Sequence, residues 1–578
     1  MISHRRLPYS VSLVAALLLG WLPAIAQPSS AQASKPGTIS GRVVNESGQS
    51  VPNAGIILRR LGSMDIQGIS TTTDREGKFE LSGLQQANYQ IFAFRQGYVP
   101  LLRDLDDAQA GIYRVGDSVT LVLTKGSVIT GTVTNQAGEP VVGVNVHARM
   151  VHPANPLPFP YNQIGGADLT DDRGIYRFYG LPEGTYVVWA GGGEARFTTN
   201  VDPFDSDVPT YAPASTRDAA QEILVHAGAE TNGIDIQYRD SPGHAVSGSV
   251  HGPESAQPLP FAILLASASG PQWQTRSFQG PNDRGFTFNG VDDGDYSITA
   301  ISQRPDGEWM FSAAKQIKVR GADVGGVELI VQPLSSVTGR VVLEETNTTE
   351  CSDNQRPIFT ETLISAQSKS THNFQEVLWF LQRTANADER GNVLLKNLVP
   401  DRYYFTTRYF AKDWYLKSLS FVSSETTSTK AGKPVDAART WTILKPGDRL
   451  NGLTIILGHG AASLRGHIAL SKGETQAEKL YVYLVPAERE RIDDPLRFYG
   501  AAVLGEGKVA LNNLAPGRYL VFAQEATDDP ASPLTRLRSP DETAYRMRLR
   551  REAETVKAEI ELKPCQTLAD LKVRVRAN

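Results

Sequence analysis

The chain has 578 residues, of which 40% are hydrophobic and 21% charged, and its formal net charge at pH 7 is -4. A single hydrophobic core does not usually serve a chain of this length, so we expect about four or five domains. The small net charge and the lack of lysine- or arginine-rich blocks exclude the electrostatic footprint of a nucleic-acid partner.

The N-terminal segment is typical of a secretory signal peptide. Arg5 and Arg6 precede an apolar run of about 12 residues, which is shorter than the roughly 20 needed to span a bilayer. Pro23 ends this run, and Ala26 completes a small-residue cleavage site, with a second candidate at Ala33. We predict a signal peptide at 1–26, a linker at 27–36 and no later transmembrane segment. The protein is then exported and is periplasmic, cell-surface or secreted, with an uncleaved anchor as the alternative.

Five segments of the chain open in the same way, with a glycine two residues before a β-branched residue. The pairs are Gly41/Val43, Gly131/Val133, Gly248/Val250, Gly339/Val341 and Gly466/Ile468. Apolar and polar residues alternate around each pair, which is the period of a strand with one buried face. A turn follows and then a second alternating run, which predicts a strand, a turn and a strand.

A turn glycine recurs later in each segment, and in four copies an Asp or Asn precedes it by three residues. The glycines are Gly77, Gly174, Gly285, Gly391 and Gly507, and the polar residues are Asp74, Asp171, Asn282 and Asp388. Such a side chain caps the turn amides while the glycine adopts a positive φ, which predicts a tight hairpin. The fifth copy has Leu504 at the polar position, so we expect its turn to differ.

The third landmark is a tyrosine that follows an apolar residue by five positions, across a polar turn. These tyrosines are Tyr89, Tyr186, Tyr296, Tyr403 and Tyr519. A tyrosine at such a sandwich corner returns its hydroxyl to nearby backbone. Each unit then ends on a closing strand: SVTLVLTKG, NGIDIQYRD, VGGVELIVQ, LNGLTIILG and KAEIELKP, in chain order. Because the landmarks recur in fixed order, they indicate five copies of one domain.

We therefore predict an all-β chain of five tandem Greek-key β-sandwich domains, transthyretin- or immunoglobulin-like, after the signal peptide. The predicted domains are repeat 1 at 37–124, repeat 2 at 125–240, repeat 3 at 241–332, repeat 4 at 333–457 and repeat 5 at 458–563, followed by a C-terminal tail at 564–578. Domains of this size are self-sufficient. Because the linkers are short, we expect a fairly stiff rod.

The landmarks resemble the carboxypeptidase regulatory-like repeat, a transthyretin-like sandwich related to the carbohydrate-binding-like and Cna-B-type folds. The resemblance rests on the opening G-x-V strand, the G-x-P-V-x-G-V turn from Gly138 to Val144, the D-x-x-G hairpin and the L-P-x-G-x-Y corner. It covers nearly all of the chain after the signal peptide, closely in repeats 1 and 2 and more loosely in the others. It implies a fold and a multi-repeat exported bacterial protein rather than an activity.

The motifs give little support to a catalytic role. The one H-x-x-E match, from His251 to Glu254, lies where a strand enters its turn, without the mixed α/β scaffold of a metallopeptidase. The chain lacks a G-x-S-x-G nucleophile elbow, a P-loop and a C-x-x-C motif. We expect no enzyme activity, no cofactor and no metal site. Acidic loops at Asp202, Asp205 and Asp207, and at the corner of repeat 3, leave calcium as an alternative.

Aromatic residues outside the repeat pattern are the candidates for ligand contacts, because rings stack on the faces of sugars. These candidates are Trp273, Trp309, Trp414, Trp441 and Tyr161. Contacts between domains are the alternative role for such residues, and we favour that role over sugar binding.

The two cysteines after the signal peptide are Cys351 and Cys565. In an oxidising compartment a pair of cysteines is able to form a disulfide. The chain-entropy model assigns such a bridge, across a loop of this length, at most about 5 kcal/mol. Two unpaired thiols in separate domains agree equally well with the sequence.

Two functions from different classes agree with these observations. The first, which is our leading hypothesis, is a non-catalytic array that binds a glycan or a cell-envelope protein through loops at the sandwich ends. The second is a structural spacer or scaffold without a small ligand, and an accessory part of a peptidase system is a third. In a binding array the exposed aromatic residues should cluster in one concavity, whereas in a scaffold they should lie between domains.

Overall fold

Strands make up 59% of the structure and helices 8%, which confirms the predicted all-β fold class. The computed structural model describes residues 37–62, 69–100, 111–151, 167–192, 203–204, 206–252, 260–267, 273–278, 284–304, 307–345, 351, 355–370, 383–421, 434–469, 480–503, 507–525 and 533–574. Pro36–Asn578 forms one compact unit. The predicted signal peptide, its cleavage site at Ala26 or Ala33 and the following linker lie outside the described residues. In the part of the chain described, no helix has the length and apolarity required to span a membrane.

Repeat 1 is a sandwich of two four-stranded sheets. Its strands are β1 (Gly37–Asn45), β2 (Gly55–Arg60), β3 (Ile69–Thr72), β4 (Lys78–Leu84), β5 (Asn88–Phe94), β6 (Tyr98–Pro100), β7 (Ile112–Arg114) and β8 (Ser118–Lys125). The sheet orders are β4-β1-β8-β6 and β3-β2-β5-β7. Strand β1 pairs antiparallel with β4 and parallel with β8, so the first and last strands of the repeat lie side by side.

Repeat 2 has the same plan with shorter closing strands. Its strands are β9 (Ser127–Thr134), β10 (Asn145–Met150), β11 (Ala167–Leu169), β12 (Ile175–Leu181), β13 (Gly184–Ala190), β14 (Thr210–Tyr211), β15 (Ile223–Val225), β16 (Glu230–Thr231) and β17 (Ile236–Gln237). One sheet contains β12, β9, β16 and β17, and the other has the order β11-β10-β13-β14 with β15 also on β13. The two short strands β16 and β17 both pair parallel with β9.

In repeat 3 the two layers join into one continuous sheet. Its strands are β18 (His244–His251), β19 (Phe261–Ser267), β20 (Trp273–Phe278), β21 (Gly285–Val291), β22 (Gly294–Gln303), β23 (Trp309–Ser312), β24 (Lys315–Val319) and β25 (Val324–Pro333). The order is β20-β19-β22-β23-β25-β18-β21, with β24 on β22. Strand β23 makes the join because it pairs with both β22 and β25.

Repeat 4 again has two separate sheets. Its strands are β26 (Ser335–Glu344), β27 (Leu363–Ser368), β28 (Thr384–Asn386), β29 (Asn392–Leu398), β30 (Asp401–Arg408), β31 (Trp414–Phe421), β32 (Val435–Asp436), β33 (Thr442–Leu444) and β34 (Arg449–His459). The orders are β29-β26-β34-β31-β32 and β28-β27-β30-β33.

Repeat 5 adds two helices to the sandwich. Its elements are β35 (Ala462–Ala469), β36 (Leu480–Pro486), β37 (Tyr499–Ala502), β38 (Lys508–Leu514), β39 (Gly517–Glu525), α1 (Pro533–Arg538), α2 (Thr543–Val556), β40 (Glu559–Leu562) and β41 (Thr567–Arg574). The sheet orders are β38-β35-β41 and β37-β36-β39-β40. Helix α2 packs on the outer face of the second sheet. The buried residues that make this contact are spaced four positions apart: Tyr545, Leu549 and Ala553.

The opening-strand glycine of each repeat lies against the closing strand. A Cβ atom at any of these glycines would overlap a carbonyl oxygen of the closing segment, which in repeat 2 belongs to the residue stretch between β16 and β17. The pairs are Gly41 with Val119, Gly131 with Ile234, Gly248 with Val327, Gly339 with Leu453 and Gly466 with Leu571. The β-branched residue two positions later is buried in every repeat, as the alternating pattern predicts. Only glycine allows the two strands to approach this closely.

The closing strands of repeats 2 to 5 share a local distortion. The residue just before the contacting carbonyl has a positive φ in each: Gly233, Gly326, Gly452 and Asp570. In repeats 3 to 5 the parallel register also shifts at this point, as in a β-bulge. Strand β41 has this positive φ and this register shift, so it is the closing strand of repeat 5. The predicted closing strand, KAEIELKP, instead forms β40 in the other sheet. This corrects the expected tail at 564–578, because Thr567–Arg574 completes repeat 5.

The corner tyrosines behave as predicted in all five repeats. Each hydroxyl donates a hydrogen bond to the carbonyl oxygen four residues earlier, at 2.7 to 2.9 Å. The acceptors are Gln85, Pro182, Asp292, Val399 and Ala515. All five tyrosines are buried, so each corner ties its turn to the core.

The D-x-x-G hairpins form as predicted in repeats 1, 2 and 4, whereas Asn282 of repeat 3 and Leu504 of repeat 5 lie outside the described residues. Asp171 Oδ1 accepts hydrogen bonds from the N–H groups of Arg173 and Ile175, at 2.9 and 2.8 Å, and Gly174 has a φ of +73°. The side-chain hydrogen bond from Arg173 lowers the pKa of the Asp171 carboxyl. Asp74 and Asp388 cap their turns in the same way.

The repeats do not form the predicted rod, because repeat 1 lies against repeat 4. Asn88 Nδ2 donates hydrogen bonds to Glu361 O at 3.0 Å and to Asn386 Oδ1 at 2.9 Å. Asn386 Nδ2 in turn donates to Leu61 O at 2.6 Å. Short linkers therefore turn the chain back on itself instead of extending it.

We expect the substitution Gly339→Ala to destabilise repeat 4 by about 1–3 kcal/mol, the usual cost of overpacking. The added Cβ would lie 2.5 Å from Leu453 O and 2.7 Å from Leu453 Cβ. Leu453 belongs to β34, which is hydrogen-bonded to β26, so these atoms have little freedom to move away. Hydrogen exchange of peptides from 335–344 in the full chain measures the loss. The matched control is the exposed neighbour, Arg340→Ala, and equal exchange in the two variants would contradict the close-approach explanation.

Stability should fall as the pH rises above about 10. Burial raises the pKa values of Tyr186, Tyr296, Tyr403 and Tyr519 above the ordinary value of 10.0. Above that pH the unfolded chain loses phenol protons that the folded chain keeps, so the unfolded state binds fewer protons and becomes favoured. Urea unfolding between pH 8 and 11 measures this effect. Tyr403→Phe should reduce the pH dependence of exchange in repeat 4 and leave that of repeat 2 unchanged.

Candidate functional site

The tryptophan at the start of β31 is a core residue. Trp414 is 2% exposed and packs among the apolar side chains of repeat 4. An indole this buried has no free face for a sugar, which corrects its assignment as a ligand contact. The side chain of Trp273, in β20, and all of Tyr161 lie outside the described residues.

Trp309 lies at the boundary between repeats 3 and 4. It packs against a cluster that includes Leu334, at the junction of the repeats, and Val399 of repeat 4. Its carbonyl accepts a hydrogen bond from the N–H of Leu334 at 3.1 Å. The neighbouring Glu308 forms an ion pair with Arg449 of repeat 4. Trp309 therefore contributes to a contact between domains.

Trp441 joins repeat 4 to the helical segment of repeat 5. Its Nε1 donates a hydrogen bond to Asp541 Oδ1 at 2.6 Å, and its ring packs edge-on against Tyr404 at 5.6 Å between centroids. Lys369 donates to the other carboxylate oxygen of Asp541 and lies over the indole ring, 5.7 Å from its centroid. The hydrogen bonds from Lys369 and Trp441 lower the pKa of Asp541.

The contact between repeats 1 and 4 has a buried polar centre. Asn88 is 0% exposed and Glu361 is 5% exposed. Arg114 of repeat 1 donates to Glu361 Oε2 at 3.2 Å, and its guanidinium lies 4.1 Å from the ring centroid of Phe410. Burial raises the pKa of Glu361, while Arg114 acts in the opposite direction. Removing Arg114 is costly, because the buried carboxylate of Glu361 is then left without this bond.

The acidic loops make hydrogen bonds within the protein. Asp207 Oδ2 accepts from the hydroxyl of Tyr238 at 2.8 Å, whereas Asp202 and Asp205 lie outside the described residues. At the corner of repeat 3, Asp295 pairs with Arg320 at 2.9 Å. In the H-x-x-E match, His251 Nε2 contacts Ser249 Oγ at 2.9 Å, whereas Glu254 lies outside the described residues.

A shallow groove of about 630 Å³ lies on the outer face of β4, β1 and β8 in repeat 1. Residues alternate along β1, so Ile39 and Val43 face the core while Ser40 and Arg42 face the groove. Its polar lining consists of Ser40, Thr71, Thr72, Ser118 and Thr120, with the charged residues Arg42, Lys78, Asp74 and Glu80. The two positive and two negative side chains cancel in charge. The groove therefore offers hydroxyl groups and charged groups but has no net charge.

The two cysteines meet at the junction of repeats 4 and 5. The structure joins Cys351 to Cys565 by a disulfide, with Cα atoms 5.1 Å apart and 214 positions between them in the sequence. Cys351 follows the opening strand of repeat 4, and Cys565 lies in the turn between β40 and β41 of repeat 5. The disulfide therefore links two domains.

The residues that join the repeats lie outside the landmarks used in the sequence analysis. Asn88 precedes a corner tyrosine, and the equivalent positions in the other repeats are Thr185, Asp295, Arg402 and Arg518. Comparing the five corners shows that Asn88 differs from the rest, but that comparison does not reveal its partner. Asp541 lies in a helical segment that has no counterpart in the repeat pattern.

Comparison with protein families matches residues 38–115 to the carboxypeptidase regulatory-like domain. This segment is nearly all of repeat 1 and confirms the resemblance seen in the sequence. No curated protein matches the chain by sequence.

Solved structures with similar segments include three bacterial proteins of low identity. The TIE protein of Bacillus anthracis is 12% identical with a TM-score of 0.13, and the match covers 51% of this chain and 50% of that one. A streptococcal ancillary pilin is 14% identical with a TM-score of 0.16, over 51% and 99% of the two chains. Two B repeat units of the collagen binding protein of Staphylococcus aureus are 12% identical with a TM-score of 0.13, over 74% and 100%. At these TM-scores the superpositions support no inference about fold or function.

Proposed function

We propose that the chain is a non-catalytic exported scaffold, in which five β-sandwiches are held in a fixed folded-back arrangement. The observation that carries this proposal is the contact between repeats 1 and 4, built on Asn88, Arg114 and Glu361. A flexible string of domains would not bury an asparagine and a glutamate, the latter paired with a partly exposed arginine, between repeats that are distant in sequence.

The positions of the tryptophans support the same proposal. Trp309 and Trp441 lie between repeats and Trp414 lies in a core, which is the arrangement expected of a scaffold rather than of an aromatic sugar-binding platform. The polar side chains at these boundaries bond to groups of the neighbouring repeat. The scaffold would keep a recognition surface on one repeat at a constant orientation to the others.

The variant Asn88→Ala/Arg114→Glu tests the folded-back arrangement in the full chain. Arg114→Glu replaces the ion pair with Glu361 by two negative charges that repel each other. Repeats 1 and 4 should therefore separate, and the radius of gyration measured by small-angle X-ray scattering should rise. We expect an increase on the order of 5 Å, a fraction of the ~13 Å radius of one 100-residue domain.

The matched control is Arg42→Glu, which makes the same charge change on the exposed outer face of repeat 1. It should leave the scattering curve unchanged. Indistinguishable curves for the wild-type protein and the interface variant would contradict a scaffold that depends on this contact.

The groove on repeat 1 supports a second candidate function, the recognition of a polar, uncharged ligand such as a glycan. Its hydroxyl groups and charged side chains are able to hydrogen-bond vicinal hydroxyls, and Phe79 and Val119 add apolar surface to the lining. A cell-envelope protein is the alternative partner for this face. Repeat 1 is also the domain that matches the family model.

A glycan-array screen of the chain without residues 1–26 tests the ligand. We expect binding that the double variant Arg42→Ala/Thr120→Ala reduces by about tenfold or more, the equivalent of roughly one lost hydrogen bond to a charged group. Trp441→Phe, at the junction of repeats 4 and 5, should bind as the wild-type protein does. Tight capture of an envelope protein without binding to any polysaccharide would rule out the glycan.

A further inference from the structure

Three potential metal ligands meet at the junction of repeats 4 and 5. The sulfur atoms of Cys351 and Cys565 and a ring nitrogen of His459 all lie within 4.8 Å of one another, and all three residues are partly buried. Within the described ranges this is the one cluster of at least three histidine, cysteine or acidic side chains with such spacing. Its members come from three separate segments of the chain, so the fold, and not a sequence motif, brings them together.

The backbone around the cluster fixes the positions of two ligands. His459 is the last residue of β34 and is the direct cross-strand partner of Trp414 in β31. Its ring lies 5.1 Å from the buried indole of Trp414, which limits the rotation of the imidazole. The N–H of Cys565 donates to Gly460 O at 3.3 Å, so the turn that carries Cys565 is tied to the residue after His459.

The donor set suits a borderline or soft transition metal. Zinc binds thiolate sulfur at about 2.3 Å and imidazole nitrogen at about 2.0 Å in a tetrahedral arrangement. Ligand atoms around such an ion are therefore about 3.3–3.8 Å apart, a spacing that lies inside the limit observed here. Two thiolates and one imidazole would leave a fourth position for water, and thiolate ligands disfavour the hard cations calcium and magnesium.

We propose that Cys351, Cys565 and His459 form a redox-gated binding site for zinc(II), closed by the disulfide and opened by its reduction. A dithiol reductant breaks the S–S bond, is itself oxidised to a disulfide and leaves two cysteine thiols. Zinc then binds the two thiolates and the neutral imidazole, and the two thiol protons are released to solvent. The disulfide and the metal site are mutually exclusive, because each uses the same two sulfur atoms.

Both states connect the same two repeats. In the oxidised chain the S–S bond joins Cys351 of repeat 4 to Cys565 of repeat 5. In the reduced chain the zinc ion would bridge these residues and His459, so the junction would keep a cross-link when the disulfide is lost. The inference is independent of the scaffold proposal, because it concerns metal binding and not the contact between repeats 1 and 4.

Metal binding by the full chain in its two redox states tests the proposal. After treatment with a phosphine reductant and removal of excess reagent, the wild-type protein should bind one zinc ion per chain in competition with a chromophoric chelator. With cobalt(II) it should show the near-ultraviolet thiolate-to-cobalt charge-transfer band. The oxidised protein should show neither signal. Binding of zinc by the oxidised chain, or its failure to bind to the reduced chain, would overturn the proposal.

The variant His459→Ala separates the metal site from the disulfide. It should keep the disulfide in the oxidised state but lower the zinc affinity of the reduced protein by about 100-fold or more, since loss of even an outer-shell partner costs 10–100-fold. The matched control is His467→Ala, an exposed histidine on β35 outside the cluster, which should not change the affinity. Equal zinc affinity in the two variants would show that His459 is not a zinc ligand and would overturn the proposed site. If the His459 variant does not fold, the comparison of oxidised and reduced wild-type protein still decides the question.

Discussion

The close approach between the first and last strands of each sandwich is the constraint on which the rest of the structure depends. A carbonyl oxygen of the closing strand occupies the space where a side chain would begin on the opening strand, so that position must be glycine in all five repeats. The parallel pairing it allows places the two ends of a repeat side by side. Consecutive repeats can then follow with short linkers, and their corners and edges come within reach of one another.

The contacts between repeats use positions that the common fold leaves variable. Asn88 occupies the residue before a corner tyrosine, where the fold requires no particular side chain, and it reaches the carbonyl of Glu361 in repeat 4. Asp541 occupies a segment that only repeat 5 has, and it receives hydrogen bonds from Lys369 and Trp441. The landmarks thus build each domain, while the residues between them determine how domains meet. This division explains why five similar units form one specific arrangement.

The sequence predicts what is local and repeated. The corner tyrosines, the capped hairpins and the opening strands depend on contacts within one repeat, and each pattern recurs often enough to stand out. The predicted end of repeat 5 was wrong because Asp570 stands where the closing strands of repeats 2 to 4 have a positive-φ glycine, for example Gly452. The rod was wrong because the contact between repeats 1 and 4 joins side chains more than 270 positions apart, for which a single sequence has no periodic signal. Helix α2 has a signal in its four-residue apolar spacing, but this spacing belongs to a segment without a counterpart in the repeat pattern, so the repeats do not predict it.

The turn before the last strand of repeat 5 gives the cysteine pair a structural reason. In repeats 3, 4 and 5 the closing strand begins within a few residues of the preceding strand, and in repeat 5 this short turn, between β40 and β41, carries Cys565. Cys565 lies just before β41, and a bond from it to Cys351 fixes the start of this strand against repeat 4. His459 ends β34 at the same point, so any cross-link at this cluster holds the end of one sandwich and the closing strand of the next in register.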